Sequence, residues 1–106
     1  MKRGDLYRVR RPPGDPRPSR VFVIVSRQAL LDSKFSTAIC APVYTHGREL
    51  GTQVAVGPEE GLKHLSWIFC DDLASLRKSQ LTDFVGCLPP GKLSRLSQAL
   101  KIALDI

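Results

Sequence analysis

The seven residues Arg20-Val21-Phe22-Val23-Ile24-Val25-Ser26 limit the possible folds of this chain more than any other stretch. The run is β-branched and aromatic, with an arginine at its entrance and Ser26-Arg27 at its exit. A strand with one wet face would alternate polar and apolar residues, so this run predicts a strand buried on both faces. Thr37-Ala38-Ile39-Cys40-Ala41-Pro42-Val43 predicts a second of the same kind, leading into Tyr44-Thr45-His46-Gly47. Side by side, the two strands would form a stiff floor and hold Arg20 beside Tyr44-Thr45 at its edge. A small domain builds a site in this way.

The rest of the chain supplies shorter pieces. Residues 4–10 alternate as a half-exposed first strand. Arg11 to Ser19 contains four prolines and a Pro-Gly pair, so it forms a stiff loop. Residues 27–32 suit a short helical turn. Pro42 points to an edge or a bulge near the end of its strand. Strands are expected at 52–56, 66–70 and 83–88, with an extended piece at 73–76 and a helical turn at 78–82. After Pro89-Pro90-Gly91 comes one long helix, whose Leu93, Leu96, Ala99, Leu100 and Ala103 or Leu104 form a single apolar stripe. The expected architecture is a mainly β, α+β fold: a strongly curved antiparallel sheet with a C-terminal helix, in one domain spanning residues 1–106.

Charge narrows the partner. Residues 1–27 carry eight basic and two acidic groups, whereas residues 28–106 carry eight of each, so the net +6 comes from the first quarter. The cluster suits a polyanion or an acidic peptide; a solvated basic surface is the other reading. Cys40, Cys70 and Cys87 sit in apolar runs and read as buried thiols of a reducing compartment. No Cys-x-x-Cys or close His/Cys set points to zinc, so neither a metal nor another cofactor is expected. No apolar run approaches the ~20 residues of a membrane span. Lys2-Arg3 leads into Gly-Asp rather than an apolar segment, so a cytoplasmic location is expected.

A series of motifs, taken in order, carries a family resemblance. It runs through Gly4-Asp5-Leu6-Tyr7, the basic loop, the Arg20–Ser26 run, Ile39-Cys40-Ala41-Pro42-Val43, Cys70-Asp71-Asp72-Leu73, Lys78-Ser79 and Val85-Gly86-x-Leu88. Together these resemble the MazF/PemK toxins of bacterial toxin–antitoxin systems over nearly the whole chain. The resemblance implies an SH3-like barrel, a homodimer, metal-independent cleavage of single-stranded RNA, and silencing by a cognate antitoxin with an acidic segment. It places the family's catalytic arginine on Arg20, with Val21 where a proline is usual. It places the family's hydroxyl on Pro42-Val43-Tyr44-Thr45, where either Tyr44 or Thr45 supplies it. The PemK-type Arg-Cys-Asp becomes Phe69-Cys70-Asp71, keeping the acid and losing the arginine.

Cleavage by the neighbouring 2′-hydroxyl needs a proton acceptor, stabilisation of a dianionic phosphorus and a donor to the leaving oxygen. Arg20 suits the second task because guanidinium stays charged and forks phosphate oxygens. Tyr44 is expected to donate to phosphate, to stack a base or to pack on the loop; Asp71 is a proton acceptor, an orienter of Arg20 or a plain turn carboxylate. Arg10, Arg11, Arg17 and Arg27 are read as RNA contacts, with His46 beside them. His64 reads as structural, and Trp67 as core or dimer interface. Two other functions remain: a CcdB-like gyrase poison, though residues 103–106 lack the tryptophan that such a role would use, and an RNA-binding barrel that does not cut.

Overall fold

A computed structural model describes residues 1–106. Seven strands form one curled antiparallel sheet: β1 Asp5–Val9, β2 Arg20–Ile24, β3 Thr37–Tyr44, β4 Gln53–Val56, β5 Ser66–Phe69, β6 Ala74–Arg77 and β7 Asp83–Cys87. The order is β4-β5-β3-β2-β1-β7, with β6 on β3. A short helix, α1 Gln28–Leu31, joins β2 to β3, and α2 Pro90–Leu104 closes the chain.

The expectation of a doubly buried β2 is met, because the curled sheet has a core on each side. Val21, Val23 and Val25 join Leu6, Ala41, Val43, Ile68 and the α2 residues Leu96, Ala99 and Leu100 in the larger core. The other face of β2 gives Ile24, with Phe22 packed alongside, to a smaller core of Tyr7, Val9, Leu31, Ala38, Cys40 and Leu81. Each fully buried Val, Leu or Ile side chain contributes about 1.5–3 kcal/mol, so β2 and β3 anchor both layers. The α2 stripe falls on Leu93, Leu96, Ala99, Leu100 and Ala103, while Leu104 is exposed.

Three sequence readings need correction. Pro42 lies in a central strand, not at an edge or a bulge: β3 pairs with β6 through Cys40 and with β5 from Val43, while β2 flanks it on the other side. Its missing N–H falls at this change of partner, where a central proline is tolerable. Cys87 is exposed near the end of the edge strand β7, whereas Cys40 and Cys70 are buried. Burial pushes the Cys40 thiol up to about 12 and the Cys70 thiol to about 11, which keeps both protonated. Of the two readings of Trp67, only the core one is overturned, since it belongs to neither core; its half-buried ring lies under Gly47, where a Cβ would stand 2.5 Å from the ring's Cγ. Ser26 has a backbone role, its hydroxyl accepting the Ile39 N–H at 2.7 Å where the β2–β3 ladder ends.

The turn after β4 is fixed from two sides. The Glu60 carboxylate is fully buried and accepts the Gly57 N–H at 2.7 Å and the Lys92 ammonium at 2.8 Å, tying the turn to α2. On the other side it presses on β7, where a Cβ on Gly86 would meet the Glu60 carbonyl oxygen at 2.1 Å. Gly86→Ala should therefore destabilise the protein by about 1–3 kcal/mol, the usual cost of overpacking. Gly91, with nothing near its missing Cβ, is the control: Gly91→Ala should be neutral or stabilising. Urea unfolding of both variants checks the contrast.

Candidate active site

The ladder that buries β2 and β3 also sets the site. Phe22 pairs with Pro42 and Val23 with Ala41; continued two residues outward, the same register sets Arg20 across from Tyr44. The Arg20 guanidinium carbon lies 4.4 Å from the centroid of the Tyr44 ring. Phe69 meets that ring edge-on at 4.7 Å and 82°, and His46 stacks on it at 5.3 Å and 26°. Thr45 follows in the bend after β3. There it lines a hollow of about 220 Å³ together with Arg8, Ser19, Arg20, Val21, Val43, Leu62, Lys63, His64 and Ser66.

Arg20 thus touches both groups: the aromatic cluster of Tyr44, His46 and Phe69, and the hollow containing Thr45. Asp71 is in neither. It follows β5 into a 3-10 turn, Cys70–Asp72, where it is exposed and makes no ion pair with Arg20. The chain leaves the sheet one residue earlier, so the strand does not carry the carboxylate toward the hollow.

The arginines of the basic segment are in differing states. Arg10 pairs with Asp83 at 2.9 Å on the surface. Arg17 forks the Asp15 carboxylate, with Nη2 at 2.7 Å and Nε at 3.1 Å, and closes the proline loop on itself. Arg11 donates from Nε to the Pro18 carbonyl across that loop. Arg27 is exposed at the other end of β2, beside an apolar cavity lined by Leu30, Ile39, Leu100 and Leu104. Exposed ion pairs are worth little, so a phosphate can take over Arg10 or Arg17. Arg8, Arg20 and Lys63, by contrast, make no ion pair and line the hollow.

Sequence reasoning missed Arg8, Lys63 and His64 as hollow residues. His64 is exposed rather than structural. Tyr44 pairs with Trp67, so the residues just before β5 run alongside those just after β3, which brings Lys63 and His64 beside Thr45. The sequence contains His64 but not the register that places it. No group of three or more His, Cys, Asp or Glu side chains gathers as a metal-holding cluster.

A curled sheet capped by one helix, with an arginine-lined hollow at its rim, defines a class of small β-barrel suited to an anionic ligand. The family model for PemK-like, MazF-like toxins of type II toxin–antitoxin systems matches residues 2–104, and the chain belongs to that family. Its structure is similar to that of an endoribonuclease from a mycobacterial species, with TM-score 0.82 and 26% identity, covering 100% of this chain and 92% of that one. It is also similar to a mycobacterial endoribonuclease solved with its cognate antitoxin, with TM-score 0.84 and 26% identity, covering 100% and 96%. A MazE–MazF structure from Deinococcus radiodurans shares the fold at 17% identity, with TM-score 0.78 and coverage of 100% and 97%. No curated protein sequence matches the chain significantly.

The Arg17 fork holds the Asp15 carboxyl down to about 2. Because this value lies below the unfolded one, the contribution is complete above about pH 4 and is lost as pH falls through about 2. Carboxyl-detected NMR of Asp15 should give that low midpoint, and in Arg17→Gln it should rise toward the ordinary aspartate value.

Proposed function

We propose that the chain is the toxin of a type II toxin–antitoxin pair and a metal-independent endoribonuclease acting on single-stranded RNA. Residues 1–106 form one toxin domain, which works as a homodimer in the cytoplasm. The observation that carries the reading is the joint presence of Arg20 and Thr45 in one basic hollow, within a chain of the toxin family.

In this reading a bent RNA phosphate enters the hollow. The neighbouring 2′-oxygen attacks phosphorus and the bond to the 5′-oxygen breaks, leaving a 2′,3′-cyclic phosphate and a 5′-hydroxyl end. Arg20 faces the non-bridging oxygens and offsets the charge that builds on them. The Thr45 hydroxyl donates to the same phosphate. An imidazole can accept or donate a proton, so His64 is the group in the hollow suited to take the 2′ proton or supply one to the leaving oxygen. Arg8 and Lys63 hold flanking phosphates, and Arg10, Arg11 and Arg17 extend the track along the proline loop. The cognate antitoxin competes by laying an acidic segment over the same cations.

Incubation with a long single-stranded RNA in EDTA tests this. Fragments with 5′-hydroxyl ends should form, and Arg20→Ala should lower kcat by about 10²-fold or more. His64→Gln should lower kcat by about 10²-fold or more. A gel shift without fragments would favour a non-cleaving RNA-binding barrel, and blocked DNA supercoiling would favour a gyrase poison. An acidic antitoxin peptide should suppress cleavage, with an affinity that weakens about tenfold or more between about 0.05 and 0.2 M salt. Isothermal titration across salt concentrations checks it; salt-independent binding would contradict an electrostatic clasp.

A further inference from the structure

We propose that Tyr44 is a positioning residue that holds the Arg20 guanidinium on the face of its ring, in place of a carboxylate. The inference rests on the reading of Arg20 as the phosphate-binding group and adds how that group is aimed.

Arg20 is half-buried, yet it forms no side-chain hydrogen bond and no ion pair. Its guanidinium lies over the Tyr44 ring at 4.4 Å from the centroid, within the range of a cation–π contact. The ring is held in turn by Phe69 at 4.7 Å and His46 at 5.3 Å, and those two meet each other at 5.6 Å. Three aromatic side chains therefore fix a surface whose neighbour is the one cation shared with the hollow. The Tyr44 hydroxyl takes part in no hydrogen bond.

Geometry favours a ring for this task. The five N–H donors of a guanidinium lie in its plane, and its faces carry none. A carboxylate orients arginine by occupying the same edge that a phosphate needs. An aromatic ring orients it without an ionic partner, so no carboxylate has to be displaced. Thr45, in the hollow, supplies the hydroxyl. The hydroxyl role and the ring role thus fall on adjacent residues.

Separate variants of Tyr44 distinguish ring from hydroxyl. Tyr44→Phe, which keeps the ring, should stay within about threefold of the parent in RNA cleavage. Tyr44→Thr, which keeps a hydroxyl and loses the ring, should lose about tenfold in kcat with a smaller change in KM. In an Arg20→Lys background the Tyr44→Thr loss should shrink, because the ring acts through the guanidinium. An activity-free readout accompanies these: in the parent protein, NMR should show the Arg20 side-chain resonances shifted upfield by the ring, retained in Tyr44→Phe and lost in Tyr44→Thr. Equal cleavage by the Thr and Phe variants, additive losses with Arg20→Lys, or unshifted Arg20 resonances in the parent would each overturn the proposal. If the parent cleaves no RNA, the endoribonuclease reading fails and the NMR comparison still decides whether the ring holds the arginine.

Discussion

The antiparallel ladder between β2 and β3 fixes nearly everything of functional interest. Both strands bury side chains on two faces, so a slip of one residue would exchange the contents of two cores at once. The pairing is therefore strongly specified, and with it the position of Arg20 relative to Tyr44 and Thr45. No loop needs to find its place for Arg20 and Tyr44 to meet. A site at the end of such a pair inherits the rigidity of the core without lying inside it.

The basic first quarter divides its charge by task. The proline loop satisfies itself: Arg17 on Asp15, and Arg11 on the Pro18 carbonyl. Restricted φ at four prolines reduces what the loop loses on ordering, and the internal bonds reduce it further. In the proposed reading its cations would exchange a weak internal partner for a phosphate. The cations of the hollow have no such partner to give up. The turn buttressed by buried Glu60, Lys92 and Gly86 has the same logic, since Lys63 and His64 leave that turn directly for the hollow.

Much of this was legible in the residues. The doubly apolar run at Arg20–Ser26 pointed to burial on both faces, and two cores bear it out. The leucine spacing after Pro90 gave the helix and its buried stripe. Arg20 beside Tyr44 followed from two strands lying side by side. What escaped depended on pairing between segments far apart in sequence. Pro42 looked like an edge because sequence does not show that β3 changes partner from β6 to β5 next to it. His64 looked structural because its neighbour across β3 was unknown. Asp71 looked catalytic because a motif placed it after a strand, whereas the chain there turns into a 3-10 helix that leaves it exposed. Cys87 shares its apolar surroundings in sequence with the buried cysteines, but β7 is an edge strand.

The substitutions in the site also fit one another. A phenylalanine at position 69 removes a cation from the end of β5 and leaves an apolar ring in contact with Tyr44. A tyrosine at position 44 offers a ring to Arg20 where a small hydroxyl residue would offer only a hydrogen bond. With no carboxylate bound to Arg20, a like charge from a second arginine at position 69 would stand nearby unneutralised, and repulsion would act against the stacked arrangement. An aromatic residue there avoids the repulsion and stiffens the ring. A guanidinium held against a ring carries no carboxylate, so a phosphate arriving there would break no existing ion pair. That distinguishes Arg20 from Arg10 and Arg17, which must release aspartate first, and it accounts physically for a site whose central cation has aromatic rather than acidic company.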